Sequence, residues 1–151
     1  MPKTVFLGSD HAGLNLKAAL VAHLAAAGHK VVDLGPTEAT SVDYPDFAKL
    51  VCSNVLDAPE SAGILVCGTG IGMSIAANRI GGIRAALCVN EYLARMTRLH
   101  NDANVLCLGE RVIGAGLAAS IADVFLETGF EGGRHQRRVD LIESCGLAAP
   151  L

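Results

Sequence analysis

The sequence predicts a single-domain α/β protein: a doubly wound three-layer sandwich on a five-stranded parallel sheet with strand order 2-1-3-4-5. Three observations lead there. Short β-rich runs recur along the chain, each followed by a longer stretch with helical period. The runs are nearly continuous in Val, Ile, Leu, Cys and Ala instead of alternating with polar residues, as expected for parallel strands covered on both faces. Finally, 151 residues, 51% hydrophobic and 18% charged, suit one domain whose core needs no disulfide staples.

The first run, Thr4 to Gly8, is followed by Leu16, Leu20 and Leu24 at i, i+4 and i+8, a helix that Gly28 ends in the left-handed region. The second, His29 to Leu34, leads through the loop Gly35 to Asp43 to a helix starting near Tyr44. Pro45 suits its first turn, where a missing N–H costs nothing, and Phe47, Leu50, Val51 and Val55 form its apolar stripe. The third run, Gly63 to Cys67, precedes a helix over Gly70 to Ile80, and the fourth, Ile83 to Val89, precedes one over Glu91 to His100. The fifth, Val105 to Leu108, precedes a helix striped by Leu117, Ile121, Val124 and Phe125, and a basic helix from about Arg134 to Ser144 follows. With this order the winding reverses between strands one and three. Ligands of such sheets bind beyond the strand C-termini at that point, so Ser9-Asp10-His11 and Cys67-Gly68-Thr69-Gly70 should line the crevice.

Composition excludes other classes. Twelve Lys plus Arg against 15 Asp plus Glu leave a net charge of −3, without the basic excess that nucleic acid selects. A mean hydropathy of +0.41 is too high for intrinsic disorder. No apolar run approaches the roughly 18 residues of a membrane helix, and Asp10 and His11 interrupt the region a signal peptide would need. The expectation is a cytoplasmic protein with neither nucleic-acid nor membrane partners. Five cysteines, Cys52, Cys67, Cys88, Cys107 and Cys145, are odd in number and contain no C-x-x-C pair, which argues against disulfides and zinc and for reduced thiols.

The sharpest chemical signal is Cys67 at a strand end, followed at once by Gly68-Thr69-Gly70-Ile71-Gly72 leading into a helix. Glycines there let main-chain N–H groups converge at the positive end of the helix, a nest for an anion. The same field favours a thiolate, which can act as nucleophile or proton-abstracting base beside the nest. The other four cysteines lack such a turn and read as small buried hydrophobes. The glycines do not match G-x-G-x-x-G, and no G-K-[ST] follows, so nucleotide-binding signatures fit poorly. Asp10-His11 offers a carboxylate and an imidazole at the same crevice, or only turn formers. Arg134 and Arg138, four apart on a helix with His135 and Arg137 nearby, fit either a clamp for a phosphate dianion or a solvated basic face. His100-Asn101 either interacts with a helix C-terminus or supplies a general acid/base and an oxyanion donor.

Five motifs in order carry a further reading: G-S-D-H-A-G from Gly8, D-Y-P-D-F-A from Asp43, C-G-T-G-I-G-M-S-I-A-A-N from Cys67, H-N-D-A-N from His100 and E-G-G-R-H-Q-R-R-V from Glu131. Together they resemble the type B ribose-5-phosphate isomerase family over nearly the whole chain. The family also includes galactose-6-phosphate isomerase subunits and isomerases of other sugar phosphates such as allose 6-phosphate. The resemblance implies reversible isomerisation of ribose 5-phosphate and ribulose 5-phosphate, a step of pentose phosphate metabolism, through a cis-enediol(ate) without metal or organic cofactor. It assigns Cys67 as the base between carbons 1 and 2, and the amides of Gly68, Gly70, Ile71, Gly72 and Ser74, with Asn101, as the oxyanion pocket. His100, assisted by Thr69, would open the furanose ring. Asp10 and Tyr44 would contact the sugar; His11, Arg134, Arg138 and Arg111 would hold the phosphate. Some relatives use a glutamate where Met73 stands, so this chain matches the cysteine branch. The resemblance also implies a homodimer, or a dimer of dimers, whose sites are shared, with the His100-Asn101 corner supplied by the neighbour and the helix over about 134–145 packing on it. The contrasting reading is a non-catalytic nucleotide-binding module, with Glu91 as the acid ending the next strand.

Overall fold

The continuous apolar runs become β1 (Thr4–Ser9), β2 (Lys30–Asp33), β3 (Ala62–Cys67), β4 (Ala85–Leu87) and β5 (Val105–Gly109), all parallel in one sheet. The computed structural model of the chain describes residues 1–146; positions 147–151 of the expected 1–151 domain lie outside them. Among the described residues six α-helices flank the sheet: α1 (Leu14–Ala26), α2 (Tyr44–Asp57), α3 (Ile71–Ala77), α4 (Glu91–Asn101), α5 (Ala115–Glu127) and α6 (Arg134–Cys145). Pro45 sits in the first turn of α2, and Gly28 takes φ +92° just after α1, both as their chemistry demands. Among the described residues no helix is long and apolar enough to cross a membrane.

The strand order is β2-β1-β3-β5-β4, which corrects the expected 2-1-3-4-5. Burial explains the exchange. Every residue of β5 is buried, whereas the three residues of β4 are only partly so. The longer, wholly apolar strand takes the inner place between β3 and β4, and the short one takes the edge. The exchange also moves a helix. Right-handed crossovers put a helix on opposite faces according to the direction of the step, and the step from β4 back to β5 now matches that from β1 to β2. Accordingly α4 packs with α5 and α5 with α1 on one face, while α2 packs with α3 on the other.

Each face has its own core. Leu16, Leu20 and Leu24 of α1 meet Ile121 and Phe125 of α5, with Ala94 of α4 closing the cluster against Leu7, Ile64 and Leu106. Opposite, Val51, Cys52 and Val55 of α2 meet Met73 and Ala77 of α3 over Phe6, Leu65 and Cys107. Two expected stripe residues do not join. Leu50 and Leu117 are exposed, and the smaller Ala48 and Ala118 occupy the buried rows where helix and sheet approach closely. The helix expected over Gly70 to Ile80 is trimmed to Ile71–Ala77.

Candidate active site

The winding reversal between β1 and β3 survives the change of order, and Ser9 is in register with Val66. Just beyond, the Asp10 N–H donates to the Val66 carbonyl. The Asp10 carboxylate, only 7% exposed, accepts the N–H groups of Ala12 (2.9 Å) and Gly13 (3.1 Å), capping a single 3-10 turn that leads into α1. That fixes one oxygen and leaves the other for a ligand. His11 is exposed, and its Nδ1 accepts the N–H of Val42 (3.3 Å), so the Gly35 to Asp43 loop is tied to the crevice.

Cys67 closes β3 in register with Gly109. The residue is only 5% exposed, and its sulfur accepts the N–H of Gly70 at 3.1 Å. Gly70 stands at φ +79°, and a Cβ there would meet the Leu108 backbone at 2.9 Å, so both conformation and space require glycine. Thr69, exposed, receives the Ile71 N–H on its hydroxyl at 3.2 Å. Ile71 and the partly buried Ser74 lie in the first turns of α3, and the Tyr44 ring at the start of α2 lies so close to Gly72 that a Cβ there would meet Cζ at 2.7 Å. Met73 points the other way, fully into the core. On the β5 side the Arg111 N–H donates to the Gly68 carbonyl (3.0 Å), and its guanidinium lies against Gly68. Asp10, His11, Tyr44, the 67–74 turn and Arg111 thus form one cluster at the C-terminal edge of the sheet.

Burial pushes the Cys52 and Cys88 thiols up to about 11, and Cys107 well above its ordinary value. These three are buried, as expected; Cys145 is exposed, correcting the reading of it as a buried hydrophobe, because the outer side of α6 faces solvent.

His100, Asn101, Arg134 and Arg138 form a second cluster elsewhere. α4 ends where β5 begins, so the His100-Asn101 corner lies at the N-terminal edge of the sheet. β5 alone, from Val105 to Gly109, puts roughly 13 Å of strand between that edge and Cys67 at about 3.3 Å per residue. The corner is held firmly. Arg84 donates through Nε to the carbonyls of Asn101 and Asp102 (both 3.0 Å), and Arg98 donates to the Asp102 carboxylate (2.9 Å) and to the Thr128 carbonyl (3.1 Å). Asp102 closes α4 at φ +46°. Against this corner the His135 ring of α6 stacks on His100, centroids 4.2 Å apart and planes 14° apart, with a carboxylate oxygen of Glu131 3.9 Å from each Nε2. Burial, and then the facing His100, hold His135 below the usual imidazole range; Arg134 and Arg138 add to this and Glu131 opposes it. Among the described residues no carboxylate lies within 4 Å of the guanidinium nitrogens of Arg111, Arg134 or Arg138, all exposed.

Sequence reasoning missed Glu110, whose carboxylate receives the Leu16 N–H at the start of α1, and missed Arg84 and Arg98. Only the position of Glu110 directly after a strand hinted at the first. Glu91 opens α4 beyond the edge strand β4, which β5 separates from β3, so it does not supply the neighbouring-strand acid of a nucleotide site. A cleft of about 430 Å³ runs along the β4 edge past Leu87, Leu93, Met96, Asn101 and Ile142, not at the Cys67 turn.

The family model described as Ribose/Galactose Isomerase matches residues 5–142. Ribose-5-phosphate isomerase B of Escherichia coli (strain K12) is 47% identical over 140 residues, 93% of this chain and 94% of that protein. The ribose-5-phosphate isomerase B structure from Clostridium thermocellum superposes with a TM-score of 0.92 at 50% identity, covering 94% of this chain and 96% of that one. That from Mycoplasma genitalium with bound ribulose-5-phosphate gives 0.92 at 44% identity, covering 99% of each.

Proposed function

This chain belongs to the ribose/galactose isomerase family, and from that premise we propose that it interconverts ribose 5-phosphate and ribulose 5-phosphate through a cis-enediol(ate). It is an aldose–ketose isomerase. One observation carries the chemical reading: the Cys67 sulfur, at a winding reversal, faces a main-chain N–H at the start of a helix. The Cys67 thiolate takes the proton from C2 of the open-chain aldose. The C–H electrons form the C1–C2 double bond, and O1 becomes an oxyanion facing the amides of Gly68, Gly70, Ile71, Gly72 and Ser74. Return of the proton to C1, with transfer of the O2 hydroxyl proton to O1, leaves the ketose. Thr69 and His100 assist ring opening, and Asn101 adds a neutral donor to the oxyanion. Asp10 and Tyr44 contact the sugar hydroxyls, while His11, Arg111, Arg134 and Arg138 hold the phosphate.

These roles need two chains. His100, Asn101, Arg134 and Arg138 sit at the opposite sheet edge from Cys67, so a homodimer, alone or paired into a dimer of dimers, brings the corner of one copy to the turn of the other. An apolar surface is available for it. Ile71 and Ile75 of α3, Tyr92 and Leu93 of α4 and Leu141 and Ile142 of α6 are all exposed around the β4 edge, where a lone copy would show apolar surface to water. The unpartnered arginines gain a dianion only when the turn arrives.

The deciding assay is a turnover panel. Ribose 5-phosphate should exceed allose 6-phosphate and galactose 6-phosphate in kcat/KM; a clear preference for a hexose phosphate would overturn the pentose assignment and leave the chemistry. Arg138→Ala should raise KM for ribose 5-phosphate by about tenfold or more, as loss of a charge-assisted hydrogen bond of about 1.5–3 kcal/mol predicts, with a smaller change in kcat. An unchanged KM would remove Arg138 from the phosphate clamp.

A further inference from the structure

We propose that His100, Glu131 and His135 form a binding site for a divalent cation of borderline softness, Zn²⁺ by preference, whose occupation takes His100 away from the sugar. Each residue offers one ligand atom, and the three atoms lie within 4.8 Å of one another. Two imidazoles and one carboxylate are a zinc ligand set that leaves a fourth position for water.

The second observation is the state of His135. The residue is 4% exposed, and its Nε2 is buried with no hydrogen-bond partner, the nearest acceptor being the Glu131 oxygen at 3.9 Å. A buried nitrogen without a partner is a cost to folding, and native structures keep few of them. Here it points at a carboxylate and beside a second imidazole, where a cation would satisfy all three.

The movement required is small and falls on side chains free to make it. Zinc holds nitrogen and oxygen at about 2.0–2.2 Å, so the ligand atoms must draw together. The rings are stacked and must part. His135 is packed against α4, whereas the side chains of His100 and Glu131 are 39% and 54% exposed, so these two turn. Arg134 and Arg138 on the same helix oppose a cation, but both are exposed and screened by solvent. Arg84 and Arg98, which also hold the corner, are engaged by Asp102 and, for Arg84, by Glu143 as well.

Turning His100 to a cation removes the group assigned to ring opening. This inhibitory part rests on the function proposed above; cation binding does not. The test is Co²⁺ titration of the chelator-treated full chain, read by visible absorption. We expect a d–d band saturating at one ion per chain, displaced by Zn²⁺, without the strong near-ultraviolet band of a cobalt–thiolate bond. Glu131→Gln and His100→Asn should each weaken binding tenfold or more, and Cys67→Ser should leave it unchanged. Glu131 is exposed, so its variant stays folded where one at buried His135 would be harder to interpret. Absence of the band at millimolar Co²⁺, a band indifferent to both variants, or a thiolate band lost in Cys67→Ser would overturn the site. Zn²⁺ should also inhibit ribose 5-phosphate turnover reversibly, with Glu131→Gln requiring at least tenfold more. Binding without inhibition would overturn the regulatory half, while the sugar panel judges the isomerase reading separately.

Discussion

Cys67→Ala lowers kcat and kcat/KM for ribose 5-phosphate together, by about 10²–10⁴-fold, the usual contribution of a positioned acid–base group. The two parameters fall together because the sulfur acts on the C2 proton in the transition state and holds nothing of the ground-state sugar. Substrate affinity, measured by calorimetry with ribose 5-phosphate, should stay within a few-fold, since the phosphate contacts come from His11, Arg111, Arg134 and Arg138. Stability should change little. The sulfur is one small atom at the margin of the α2–α3 core, and its loss leaves a void smaller than a leucine-to-alanine change would. Cys67→Ser separates chemistry from packing: the hydroxyl still accepts the Gly70 N–H but is too weak a base, so it should be nearly as inactive as the alanine variant. Near-normal turnover by either would remove the cysteine from the reaction.

That cysteine was legible in the sequence because its surroundings leave little choice. A strand end followed by alternating glycines demands a sharp turn, and Gly70 at φ +79° against the Leu108 backbone shows why no other residue fits. Asp10 was legible as a crevice residue for a related reason, since a short carboxylate after a strand caps the turn it enters. The order of β4 and β5 was not. The run Ile83 to Val89 is as apolar as an inner strand, yet only Ala85–Leu87 pair with β5. Ile83 obtains its burial in the α2–α3 core, and Cys88 in the opposite one, so their hydrophobicity reports packing on helices instead of pairing in the sheet. Arg84 and Glu110 could not have been found from spacing, whereas Arg98, four before Asp102 on α4, could. The partners of the first two lie in other elements: the Asn101 carbonyl and the Leu16 N–H. A single charged residue outside a helix or strand carries no period that announces such a bond.

A second large effect should come from mixing two dead enzymes. Cys67→Ala and His100→Asn, each purified alone, have lesions in different clusters, one at each edge of the sheet. If a site draws Cys67 from one copy and His100 from the other, a mixed dimer holds one site with both lesions and one with neither. Random exchange makes about half the dimers mixed, each with one of two sites intact, so activity should recover to about a quarter of the unmodified enzyme. From a starting level some hundredfold or more lower, that is a rise no single-copy site can produce, because a site built within one chain keeps a lesion in every combination. The measurement needs subunit exchange, by brief denaturation and refolding or by co-expression with two tags, followed by turnover of ribose 5-phosphate. Recovery would also place α6 functionally, since Arg134 and Arg138 travel with His100 through the His135 stack. Silence in a mixture shown by its tags to contain hybrids would sink the shared site and require a rearrangement carrying His100 across the height of β5 within one chain.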